Sequence, residues 1–167
     1  MQYAEIIDYY KTELKRYSPE QLRHISEKGV WSIGQMYDHM IATALDYLDQ
    51  VRRCASASEE NHEGKTEAGK EMFINHSFPP IKIKLPDGPA NNPNNEQTVD
   101  DLLQGLDLVL KSMSQWEAQI SAINPNYKVK HEGFGWLNAK EWFEMADMHF
   151  RHHLRQKAEL EQRIGLC

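Results

Sequence analysis

His149, His153 and Gln156 stand at steps of four and three residues inside the stretch Asn138-Ala-Lys-Glu-Trp-Phe-Glu-Met-Ala-Asp-Met-His149-Phe-Arg-His-His153-Leu-Arg-Gln156. A neutral imidazole is a metal ligand through either ring nitrogen, and near pH 7 it also serves as an acid or base. On a helix, each turn rises about 5.4 Å, so side chains four residues apart can converge on one ion. The three polar residues share a stripe with Trp142, Met145, Ala146, Leu160 and Ile164, which recur at helical steps and mark a buried face. Polar groups inside an apolar stripe need partners. A metal would satisfy both imidazoles at once; the bland alternative is a pair of core histidines that hydrogen-bond their neighbours.

The helix that must carry this stripe is bounded by local grammar. Asn138 can cap it while Glu141, three residues on, reaches back to the capping backbone N–H, and Gly165 stands where a stop belongs, so one helix is expected from Asn138 to Gly165. The same grammar opens a second long helix at Trp31-Ser32-Ile-Gly-Gln35, whose stripe Ile33, Met36, Met40, Ala44, Leu48 and Val51 runs to about Ala55. His39 lies beside that stripe, near Met36, Met40 and Thr43, where a core-facing side chain fits. A first helix from Tyr3 to about Arg16 carries Ile6, Ile7, Tyr10 and Leu14, and a short one starts at Ser18-Pro-Glu-Gln21 and ends near Gly29. Thr98 opens a third long helix with Asp101 in its first turn; its stripe is Val99, Leu102, Leu106, Leu110, Met113, Trp116 and Ile120, and Asn124-Pro-Asn ends it.

Between Ser56 and Gln97 the periodicity breaks. Ser56 to Lys65 is polar and reads as mobile, Phe78-Pro-Pro-Ile-Lys-Ile-Lys-Leu-Pro86 alternates like an extended edge segment, and Asp87 onwards turns repeatedly. So long a connection is either functional, as a lid, or disordered. It can also cross the end of a bundle. The last connection holds His131-Glu-Gly-Phe-Gly-Trp136, whose glycines permit a tight bend while Phe134 and Trp136 plug the bundle end or wall a pocket. No convincing sheet emerges. The expected fold is therefore all-α: a four-helix bundle with a long crossover between the second and third long helices, in one domain spanning 1–167.

Composition excludes several function classes. A net charge of -6 argues against a phosphate-backbone partner, which needs a basic patch. The two cysteines, Cys54 and Cys167, form no CxxC pair, so neither a disulfide framework nor a thiolate metal site is indicated, and the thiols fit a reducing cytoplasm. Charge interrupts the N-terminal stretch too early for a signal peptide, and no apolar run approaches the ~20 residues of a membrane span. A cytoplasmic protein is expected.

Two signatures on separate helices, Trp31-Ser32 followed by His39, and His149-x-x-x-His153-x-x-Gln156, together resemble the DinB-like superfamily, which includes bacillithiol transferases and mycothiol-dependent enzymes. The resemblance covers nearly the whole chain. It implies a four-helix bundle in which His39, His149 and His153 bind a divalent metal. Gln156 matches the polar position that closes the family's pattern and is the candidate catalytic side chain, whether as ligand, as partner of a ligand or as substrate contact. A three-His site with an open position is an established catalytic geometry, to which zinc is best suited, with nickel, iron and cobalt also able to use imidazole. Homodimerisation is a family-level expectation for which no stripe is spare.

The site departs from a protease pattern. In HExxH enzymes the Glu after the first His is the base, and here Phe150 takes that place. Three neutral imidazoles leave the ion its positive charge and can lower the pKa of a bound water or thiol. The leading expectation is a metal-dependent enzyme that activates a small thiol for transfer to an electrophile. The alternatives are a hydrolase using water instead of the thiol, and a bundle that binds metal or ligand without turnover. Asp38 and Asp147 are candidate acceptors for imidazole N–H groups; His152, Arg151 and Arg155 are assigned to the exposed face, and His24, His62 and His76 have no partner pattern.

Overall fold

Four of the helices begin at reciprocal capping boxes, in which side chain and backbone exchange hydrogen bonds between Ser18 and Gln21, Ser32 and Gln35, Thr98 and Asp101, and Asn138 and Glu141. Each box satisfies two of the amide donors that a helix start leaves over. The computed structural model describes residues 2–79 and 92–166. Its elements are α1 (Tyr3–Leu14), α2 (Pro19–Arg23), α3 (Ile33–Ala55), α4 (Glu67–Asn75), α5 (Val99–Glu117), β1 (Lys128–His131), β2 (Gly135–Asn138), α6 (Ala139–His152) and α7 (Leu154–Arg163). Beyond Pro79 the expected extended segment, and with it part of the crossover, lies outside the described residues, as does Cys167.

The apolar stripes meet in one core. α3 packs on α5 and α6, and α1 packs on α5 and α6. Ile6, Ile7, Tyr10 and Leu14 of α1 are buried against Met36, Met40 and Ala44 of α3, with Leu102, Leu106 and Met113 of α5 and Met145, Ala146 and Phe150 of α6 in the same cluster. The chain is thus mostly helical, as expected. Among the described residues no helix is long and apolar enough to cross a membrane.

Three local expectations are corrected. The last helix is not continuous: it ends at His152, and His153 (φ -86°, ψ -3°) closes α6 and opens α7. The stretch from Ser56 to Lys65 is not merely polar and mobile, because long-range bonds pin it and the residue that follows it, and α4, a helix the sequence reading did not place, comes next. Asn61 N–H donates to Asn126 O at 2.8 Å, Thr66 N–H to Phe134 O at 3.0 Å, and Trp136 N–H to Gly64 O at 3.1 Å. Finally, the connection before α6 is an antiparallel hairpin, with Lys128 opposite Asn138 and His131 opposite Gly135. Gly135 takes φ +86°, and a Cβ there would stand 2.7 Å from the Thr66 nitrogen, so both its conformation and its contact require glycine.

Candidate metal centre

The histidines on α3 and at the α6–α7 junction come together in the core. His39, His149 and His153 are 6%, 6% and 9% exposed, and each offers one nitrogen within 4.8 Å of the other two. Ring centroids are 5.0 Å apart for His39 and His149, 5.0 Å for His39 and His153, and 4.4 Å for His149 and His153. The capping box at Ser32 fixes where α3 starts and hence which face carries His39; the box at Asn138 does the same for His149.

The Nε2 atoms of His149 and His153 lie 3.1 Å apart. On its other side, His153 Nδ1 lies 2.6 Å from Gln156 Oε1. With the amide oxygen as acceptor, Nδ1 carries the proton and Nε2 presents a lone pair toward His149. Two imidazole nitrogens that close need a proton or a cation between them. Ligand nitrogens at ~2.0–2.1 Å from a tetrahedral zinc would be ~3.3 Å apart, close to the observed separation. His149 Nδ1 is buried with no hydrogen-bond partner, so hydrogen bonding does not fully account for this ring. The donor set is three imidazole nitrogens, which suits a borderline transition-metal ion, and the residues fit such a group.

Neutrality follows from the surroundings. Burial, then the neighbouring His153, His39 and His152, hold His149 well below the ordinary histidine value. Burial and then His39 push His153 down to about 3, against the opposing hydrogen bond that its Nδ1 donates to Gln156. Both rings are therefore in the state that ligates metal.

Aromatic rings line the cluster. Trp31 lies 5.0 Å from His39, Tyr47 lies 6.0 Å from His149, and Phe78, at the start of the segment that precedes α5, lies 5.5 Å from His149 and 5.3 Å from His152. The segment returns to the site on its far side: Asn94 N–H donates to Asp38 Oδ2 at 2.8 Å, Gln97 donates to Asp38 Oδ1, and Gln35 Nε2 donates to Pro93 O at 3.3 Å. Asp38 thus anchors the return of the connection, and Asp147 pairs with Arg151 at 2.8 Å, which gives each acid a partner other than an imidazole. His152 is exposed, Arg155 pairs with Glu159 at the surface, and His24, His62 and His76 are exposed and apart from the cluster.

Sequence reasoning missed Phe78 and Tyr47 beside the site, and gave no role to His131. That histidine is 8% exposed and stacks on Phe134 at 4.6 Å. Its Nδ1 accepts from the Gly133 and Phe134 N–H groups at 3.0 and 3.2 Å, so it organises the hairpin turn. Phe134 is 1% exposed and packs between His131 and Phe78. A buried turn histidine has no periodicity to reveal it.

Fold and site together define a class: helical proteins in which one histidine of α3 and two from the end of α6 and its junction with α7 make one buried imidazole centre. A family model of the DinB superfamily matches residues 2–156, and the chain belongs to that superfamily. Searches of the curated proteins and of the solved structures return no match.

Proposed function

We propose that the protein is a cytoplasmic metal-dependent enzyme that activates a small thiol for transfer to an electrophilic substrate, acting as a single-domain four-helix bundle formed by α1, α3, α5 and the α6–α7 pair. The observation that carries this reading is the triad itself: three buried imidazoles that gather in one place, two of them with nitrogens 3.1 Å apart. A divalent ion bound there, zinc by preference, would keep its full positive charge and supply an open position that lowers the pKa of a thiol presented to it.

The protein's own residues do the rest. His39, His149 and His153 hold the ion. Gln156 fixes the tautomer and rotation of His153 by accepting from its Nδ1, which makes it a positioning residue on this reading. Trp31 and Phe78 flank the histidines with apolar surface that excludes water and favours an uncharged electrophile. Phe150, fully buried, occupies the position where a peptidase has its general base, which supports transfer over peptide hydrolysis. A homodimer and a thiol of the bacillithiol type belong to the same reading through the family.

The test begins with elemental analysis of untagged protein purified without chelator, beside His39→Ala and His149→Ala. About one ion per chain in the wild type, lost from both folded variants, is expected. Metal-dependent conjugation of bacillithiol, mycothiol or glutathione to a panel of electrophiles should follow. Absence of conjugation with every thiol, in metal-replete protein, would overturn the transferase assignment; release of hydrolysis products instead would mark a hydrolase.

A further inference from the structure

The sequence between Asn138 and Gly165 contains no proline or glycine, yet the helix stops at His152 and restarts at Leu154. Helices break at proline, at glycine or serine pairs, at π-bulges, or where a side chain enters the backbone ladder. Here a side chain enters. Tyr10 of α1, with no exposed surface, donates its hydroxyl to the Phe150 carbonyl at 2.6 Å. In an uninterrupted helix that carbonyl would accept from the Leu154 amide. It is instead among the last four carbonyls of α6, which require partners from outside the helix.

Tyr10 is itself held. The Tyr37 hydroxyl donates to the Tyr10 carbonyl at 2.9 Å, and the Tyr10 ring packs against Tyr37 at 5.6 Å and Phe150 at 5.8 Å. Three residues further along α1, Glu13 accepts from Lys157 Nζ at 2.8 Å, and the Lys157 N–H donates to the His153 carbonyl at 2.9 Å. One helix therefore grips both sides of the break, the end of α6 through Tyr10 and the start of α7 through Glu13. Phe150 follows His149 in the chain, and Lys157 follows Gln156.

We propose that Tyr10 is a positioning residue of the histidine centre: by occupying the Phe150 carbonyl, its hydroxyl holds the break at His153 and so sets the approach of His153 to His149. The metal readout below rests on the metal-centre reading, whereas the helix break does not. Burial keeps the phenol protonated, so it remains a donor at every working pH.

Tyr10→Phe removes the one oxygen and leaves the ring. In metal-free protein the Leu154 amide should then bond the freed carbonyl and gain protection from hydrogen exchange, with altered 15N shifts at His153. Cobalt(II) affinity should fall ~10- to 100-fold, the range seen when groups that orient ligands are removed, with a changed visible spectrum. Ile7→Val, a core change on the same helix that leaves the Tyr10 hydroxyl in place, should lower the melting temperature while leaving both readouts as in the wild type.

Unchanged exchange at Leu154 in Tyr10→Phe overturns the proposal whatever happens to the metal. A gain in protection with wild-type cobalt affinity overturns the link to the site. If the wild type itself binds no cobalt, the metal reading fails and the exchange and His153 shifts alone decide. Should Tyr10→Phe not fold, exchange in the wild type decides: a Leu154 amide as slow as those in the middle of α6 overturns a held break.

Discussion

Replacing Lys157 by methionine should cost ~3 kcal/mol of folding stability at pH 7, and the origin of that figure is specific. Lys157 is 3% exposed, and its ammonium lies 2.8 Å from Glu13 Oε1 and 2.5 Å from Glu161 Oε1. Methionine keeps most of the stem and removes the charge. The two carboxylates would then face each other across the vacated ammonium, and two like charges at a separation on the order of 5 Å repel by ~3 kcal/mol at an effective dielectric of ~20. Arg16, 2.7 Å from Glu13 and 3.5 Å from Glu161, offsets part of this, and the lost charge-assisted hydrogen bonds restore it, which places the total at the low end of the range for breaking a buried pair. For a chain of this length the melting temperature should drop by ~6–12 °C.

The pH dependence is diagnostic. Burial alone would raise Glu13, but the hydrogen bond and charge of Lys157, then Arg16, more than offset it and its pKa is lowered. A lowered carboxyl gives stability that is present above its unfolded value and is lost as pH falls through the folded one. In Lys157→Met that contribution of Glu13 is gone, so the gap between wild type and variant should narrow as pH drops from 7 toward 4. Urea denaturation across that range measures it. A deficit under ~1 kcal/mol at pH 7, or a gap that stays constant on acidification, would refute the assignment of Lys157 as a buried charge clamp.

Other outcomes follow from single contacts. Gln156→Ala removes the acceptor on His153 Nδ1 and should weaken zinc ~10- to 100-fold, while Gln156→Glu, which keeps an acceptor, should retain it; competition titration with a chromogenic chelator compares them. A Cβ on Gly69 would stand 2.3 Å from the Phe134 carbonyl, so Gly69→Ala should destabilise by ~1–3 kcal/mol in calorimetry through the docking of α4 on the hairpin. Burial pushes His131 down to about 4. Its contribution is fully present above the ordinary value near 6.5 and is lost as pH falls from there toward 4, up to ~3 kcal/mol, and an NMR titration with a midpoint above about 5.5 would contradict the buried turn assignment.

Much of this molecule was legible in the chain because the signals are local. A capping residue and its partner three positions on sit within one turn, so the starts at Ser18, Ser32, Thr98 and Asn138 needed no knowledge of the rest of the fold. The period of Met36, Met40 and Ala44 fixed the face of α3, and with it the inward position of His39. The stripe of Trp142, Met145 and Ala146 did the same for His149. That these histidines would share a core followed from the stripes; that they would share one site followed from the superfamily resemblance.

What the tertiary structure alone decided depends on partners far away in sequence. The break at His153 has no local breaker, and the hydroxyl that accompanies it comes from Tyr10, 140 residues before Phe150. The docking of residues 61–66 depends on amide and carbonyl groups of the hairpin region, which only folding brings near. Phe78 reaches His149 because the connection leaves the core beside α6, and Asp38 ties its return beside α3. Periodicity reports which face of an element is buried. The 3.1 Å between His149 and His153 is set by what that face is buried against.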